Sequence, residues 1–140
     1  MNRNHLCLPR ALHRSTPVMA AAGMNDAALA IQAAEQLASE AISVEVIDLQ
    51  TIQPWDEAAL LASLAKTGHL VVVHEAVEQF GVGAEIAARM ADIGFAHLMG
   101  PIVRVGAPFM PVPFSAELET QYRPSVSRVV AAVRKALGKE

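Results

Sequence analysis

His74 and Glu75 stand side by side directly after the apolar run Leu70–Val73, and of all residues in the chain they are the best placed to do chemistry. Ligands of a parallel sheet sit at the carboxyl ends of its strands. A histidine there can serve as base, acid or hydrogen-bond donor near neutral pH. The simpler reading is structural: His74 caps the strand and bonds a backbone carbonyl, while Glu75 is a surface or interface charge. Further on, Gly81-x-Gly83 follows the strand and opens a helix, where backbone N–H groups can hold an anion. However, Ile86 occupies the third glycine position of a dinucleotide fingerprint and the turn from His74 to Gly81 is not tight. No acid follows the next strand to take a ribose. The two glycines are therefore expected to let the loop approach a neighbouring helix or subunit closely. Trp55, beside Pro54, reads as a packing or interface residue. His69 and His97 are isolated, and with the single Cys7 they form no metal-ligand spacing. No serine sits in a nucleophile elbow, and no glycine-rich loop ends in Lys-Ser or Lys-Thr.

The elements that must position these residues alternate. Val18–Ala22 is a short apolar run ended by Gly23 and reads as a buried strand. Asp26 is the expected N-cap of a helix over about 27–40, with Leu29, Ile31, Ala34 and Leu37 inward. Ile42–Leu49 is β-branched and partly alternating, hence a strand. Pro54 and Asp56 start a helix over about 57–66, which Gly68 ends in a left-handed cap. Leu70–Val73 is too short for a helix and reads as a fully buried strand. A helix over about 84–93 and a short strand, Ile102–Val105, follow. Pro108, Pro111 and Pro113 exclude helix and central strand, so 107–114 is expected to be an extended surface loop. Val126, Val129, Val130, Val133 and Leu137 form the stripe of a final helix over 126–137. The order predicts an α/β sandwich with a mostly parallel sheet of four visible strands, with room for a fifth in the tail.

Composition removes several classes of function. The 140 residues are 53% apolar and 18% charged, which suits a single folded domain and not a disordered chain. No apolar run approaches the ~18 residues needed to cross a bilayer. One cysteine allows no internal disulfide. An isoelectric point near 5.9 argues against nucleic-acid binding. Charge is uneven: residues 1–16 hold three arginines and no acid, so the remaining 8 basic and 14 acidic side chains leave −6 on 17–140. Residues 1–16 are read as an irregular basic leader and 17–140 as the domain. A transit peptide and a basic arm are the other readings of the leader. Location is expected to be cytoplasmic, or the mitochondrial matrix if the leader is a transit peptide.

Four strings occur in order: SVEVIDLQTIQPWD (43–56), TGHLVVVHEA (67–76), GVGAEIAA (81–88) and the tail PVPFSAELETQYRPSVSRVVAAV from Pro111. Together they resemble the C-terminal domain shared by transketolases and the beta chain of the thiamine-diphosphate-dependent first component of 2-oxo acid dehydrogenase complexes. The tail points to the dehydrogenase branch, and the resemblance covers about residues 17–137. It implies a three-layer α/β/α sandwich with a mostly parallel, mixed five-stranded sheet, one strand antiparallel. It also implies dimerisation and docking to an alpha chain and to the basic binding domain of an acyltransferase component, within a pyruvate, branched-chain 2-oxo acid or acetoin dehydrogenase.

In that family thiamine diphosphate and Mg belong to the complete enzyme. A larger N-terminal domain supplies the glutamate that activates the aminopyrimidine. The alpha chain supplies a Gly-Asp-Gly and Asn-pair motif for the diphosphate and metal. Neither pattern occurs in these 140 residues, so no cofactor and no catalytic residue is expected of this chain, which alone is expected to be inactive. Gln50 stands where the family usually has arginine, and Phe109 where an aspartate commonly precedes Pro-x-Pro. Two classes of function follow: an assembly module, with Trp55, Phe80, Phe109 and Phe114 as contacts, or a stand-alone ligand-binding or enzymatic domain using His74 and Glu75.

Overall fold

The computed structural model describes residues 5–6, 18–21 and 24–139. The leader apart from His5 and Leu6 lies outside the described residues. In chain order the elements are β1 (His5–Leu6), β2 (Val18–Ala21), α1 (Met24–Ala38), β3 (Glu45–Asp48), α2 (Glu57–Thr67), β4 (Leu70–Val77), α3 (Val82–Ile93), β5 (Val103–Ala107), α4 (Ala116–Tyr122) and α5 (Val126–Ala136), with a 3-10 turn at Phe95–His97. The strands form one sheet in the order β1-β3-β2-β4-β5. β2, β3, β4 and β5 run parallel, and β1 pairs antiparallel with β3 through His5↔Ile47 and Leu6↔Val46. The antiparallel strand thus comes from within the segment read as a leader, not from the tail.

Side chains alternate across a strand, and this divides the core in two. Val71 and Val73 of β4 join Val44, Val46 and Val105 beneath α1 and α5. Leu70 and Val72 point the other way and meet Ile47, Leu60, Leu64, Ile86 and Met90, beneath α2 and α3. The result is an α/β/α sandwich with a sheet buried on both faces, which is why its strands read as continuous apolar runs. The inward stripe of α1 is Ala30, Ala33, Ala34 and Leu37, none more than 2% exposed. Leu29, expected inward, is only half-buried; small alanines fill that face and bring α1 close to the sheet.

Local signals set the helix ends. Asp56 caps α2, its Oδ1 accepting from the Ala59 N–H at 2.9 Å. Gly68 closes the helix at φ 75°, where its N–H donates to the Leu64 carbonyl. Ser125 caps α5. Two departures matter. Asp26 lies inside the first turn of α1 and not at its cap. β4 runs to Val77, so His74 and Glu75 lie within the strand and not beyond its end.

Candidate functional site

The carboxyl end of the sheet carries two groupings, one on each face. Between Val73↔Val105 and Val77↔Ala107, β4 advances four residues while β5 advances two. The two surplus residues form a bulge, a device that re-aims side chains, and it falls on His74, Glu75 and Ala76.

On the α3 side lies His74. Its imidazole is 1% exposed, and neither ring nitrogen has a well-formed hydrogen bond. Three glycines wall it in. A Cβ on Gly83 would collide with Nε2 and Cδ2, one on Gly106 would come within 2.9 Å of Cε1, and one on Gly81 within 3.2 Å of Cε1. Gly81 and Gly83 are therefore needed for close approach, as expected, but the group they approach is His74 itself. Burial pushes the His74 pKa down, and Arg104 adds to this; the Ala76 backbone and Glu78 oppose it more weakly. The surrounding chain is tied down at three points. Arg104 Nη1 donates to the Glu78 carbonyl at 2.8 Å. The Glu78 N–H donates to the Ala107 carbonyl at 2.8 Å. Arg128 Nη2 donates to the Gly106 carbonyl at 2.7 Å. His74 is thus a neutral, enclosed packing group and not an exposed base.

Glu75 points to the other face, where it neighbours Asp26 of α1 and Asp48 at the end of β3. Asp26 is 1% exposed, with Oδ1 unpartnered. Burial first, then the charges of Glu75 and Asp48, push its pKa up to about 6, against a hydrogen bond from the Glu75 backbone N–H that lowers it. Sequence pattern treats Asp26 as a helix cap, and nothing local reveals its two acidic neighbours. Gly106 carried a signal, since an interior strand glycine often marks close backbone approach. Trp55 is half-buried and packs on the second core with Leu60 and Leu64; it does not join His74. Among the described residues, no group of three or more His, Cys, Asp or Glu side chains has the geometry to hold a metal ion.

A third feature lies on the surface beside His74. Phe80 takes φ 60°, a left-handed conformation costly for a bulky residue, and is 89% exposed. Its ring meets Phe109 edge-on at 6.0 Å. Met110, Val112, Phe114 and Leu118 on the following loop and α4 are also exposed. Pro108, Met110, Pro113 and Leu118 line a groove of about 230 Å³ that ends on Gln121 and the buried Tyr122.

The family model described as the transketolase C-terminal domain matches residues 21–129. The chain belongs to the transketolase C-terminal domain family. It is 42% identical over 109 residues to the beta subunit of acetoin:2,6-dichlorophenolindophenol oxidoreductase from Bacillus subtilis (strain 168), a match covering 78% of this chain and 32% of that protein. It is 42% identical over 107 residues to the mitochondrial pyruvate dehydrogenase E1 component subunit beta-1 of Arabidopsis thaliana, covering 76% and 30%. Identity to the corresponding mitochondrial beta subunit of Mus musculus is 45% over 108 residues, covering 76% and 30%. These names support the dehydrogenase beta-subunit branch, in line with the tail motif. The chain spans about a third of the length of these relatives. A solved structure described as an inactive beta4 tetramer of a split-gene transketolase matches with a TM-score of 0.74 and 30% identity, covering 89% of this chain and 39% of that one. No helix among the described residues is long and apolar enough to cross a membrane.

Proposed function

We propose that this chain works as the assembly module of a 2-oxo acid or acetoin dehydrogenase beta subunit: it makes subunit contacts and does not itself carry the reacting groups. The observation that carries this reading is the exposed apolar face of Phe80, Phe109, Met110, Val112 and Phe114. Contiguous exposed apolar patches on small domains mark interaction surfaces. Phe109, edge-on to Phe80, is part of that face. The split-gene transketolase of matching fold is described as a beta4 tetramer, which supports self-association as one of the contacts. An alpha chain and the basic binding domain of an acyltransferase component are the other partners.

The residues present do not fit thiamine diphosphate with Mg. The acids Asp26, Asp48 and Glu75 gather at the sheet end, where a diphosphate would be repelled. Arg104 and Arg128 nearby are engaged by backbone carbonyls. The stand-alone enzyme reading has less support, because His74 is enclosed and Glu75 lies on the opposite face of β4.

Sedimentation velocity across a concentration series tests the reading. The chain is expected to form a dimer or larger species by high micromolar concentration. Replacing Phe109 and Phe114 together by serine, both exposed and outside the core, should give a monomer of unchanged melting temperature. A wild-type chain that stays monomeric throughout would remove self-association from the proposal.

A further inference from the structure

We propose that His74 is a proton-gated clamp: its neutral, glycine-walled imidazole holds together the two segments that present Phe80 and Phe109, and its protonation releases them. The inference rests on the apolar face being an assembly surface, and it assigns that surface a means of regulation.

The geometry begins with chain order. The segment that closes over His74 from one side contains Gly81 and Gly83, and Phe80 immediately precedes it. The segment that closes from the other side contains Gly106, and Phe109 follows three residues later. Both aromatic rings of the edge-on pair are therefore anchored through backbone that rests on one imidazole. Phe80, directly before the Gly81 that closes over the ring, takes a left-handed conformation that a phenylalanine ordinarily avoids. The ring is 1% exposed, and what the Ala76 backbone and Glu78 offer a second proton is outweighed by burial.

The charges facing His74 do not offer a ready home for a cation. From the strand's own continuation comes Glu78, which favours the charged form. From β5 comes Arg104, which opposes it. From α5, Arg128 reaches the Gly106 carbonyl beside the ring. From α3 comes the amino-terminal turn, whose dipole is positive. Glu75 lies across the strand, toward Asp26. The sign is fixed by linkage. The imidazole binds a proton less readily in the closed clamp than in an open, hydrated one, so closure is favoured above the ordinary histidine pKa near 6.5. It weakens as pH falls through 6.5 toward the depressed value. Acidification should therefore loosen the two loops while the core remains folded.

Hydrogen exchange by mass spectrometry on the whole chain tests this without requiring self-association. Exchange in 78–83 and 106–110, corrected for intrinsic rate, is expected to rise between pH 7.5 and 5.5. The rise is limited to about tenfold per pH unit below 6.5, hence about five- to tenfold by pH 5.5 for a closed-state pKa depressed by about a unit or more, with β2 and α5 unchanged. In His74→Gln, which has no group to titrate there, the pH-dependent rise in those two segments should vanish. Should that variant fail to fold, imidazole titration of the wild-type chain by NMR decides the matter. The His74 midpoint must lie below 6.5, at the lower end of the pH range over which exchange rises. Loop exchange independent of pH, or a His74 that titrates at or above 6.5, overturns the clamp. A monomer that still shows the exchange transition would remove self-association from the assembly reading and leave the clamp standing.

Discussion

Asp26 illustrates how a residue's chemistry is set by neighbours remote in sequence. A carboxylate in the first turn of a helix is ordinarily favoured by the helix dipole. Here burial and the charges of Glu75 and Asp48 outweigh that, and the pKa rises to about 6 from 3.8. A raised carboxyl pKa means that the folded state holds the proton more tightly than the unfolded state. Its stabilising contribution is present in full below pH 3.8 and is lost as pH climbs to about 6. Above that, the chain carries an ionised acid facing two others. Asp26→Asn keeps an oxygen to accept the Glu75 N–H and removes the charge. It should stabilise the fold at pH 8, by no more than about 3 kcal/mol at 1.36 kcal/mol per pKa unit, and so raise the melting temperature there while leaving it nearly unchanged at pH 4. Thermal melts of both proteins at the two pH values check this, and an equal shift at both would mean that charge is not the cause. Local pattern marks Asp26 only as a cap, because Glu75 and Asp48 meet it solely through the parallel pairing of β2 with β3 and β4. His74 was visible as a special residue, but its enclosure depends on Gly106, which lies 32 positions further along the chain.

Elements were legible where short-range chemistry specifies them. Asp56 and Gly68 bracket α2 as their side-chain acceptor and left-handed tolerance require, and the valine stripe of α5 buries Val129, Val130 and Val133. α4 was hidden because its seven residues follow three prolines and carry no apolar stripe; its one local mark is Ser115, whose hydroxyl accepts from the Leu118 N–H at 3.3 Å. The length of β4 was hidden because a histidine and a glutamate break its apolar run, although the bulge lets both remain in the strand. β1 escaped notice because two residues are too few to show a period. The cap of α2 can be tested in isolation: it is exposed, and its single acceptor serves the Ala59 N–H. Asp56→Ala should cost about 1 kcal/mol in urea unfolding with the slope unchanged. Because Glu57 in the same turn is held by Arg89 of α3 through bonds of 2.7 and 3.0 Å, the helix should stay docked, and a loss well above this range would mean that the cap also organises that ion pair.

At the scale of the whole molecule, the excess of acid outside the first sixteen residues governs how partners are met. Opposite fields accelerate encounter and set orientation more than they add affinity. Net charge alone overstates the field, because several acids are locally neutralised. Glu119 pairs with Arg123 at 2.7 Å and Glu40 with Arg134 at 2.6 Å, while Asp92 shares Arg89 with Glu57. Glu117 has no such pairing among the described residues and sits in the first turn of α4, beside the groove lined by Leu118. It is therefore the acid on that helix most able to steer a basic partner toward the apolar face. Binding to the basic domain of an acyltransferase component should be measurable by titration calorimetry at about 0.1 M salt, where fields reach about 10 Å, and should weaken markedly near 1 M, where they reach about 3 Å. Glu117→Lys should slow association and flatten the salt dependence, whereas Glu119→Gln, at an acid paired with Arg123, should change both much less. Heat that is identical at both salt concentrations would mean that the apolar face binds without electrostatic guidance. Absence of heat at low salt, with both partners folded, would remove the acyltransferase component from the partners of this domain and leave self-association and the alpha chain as its contacts.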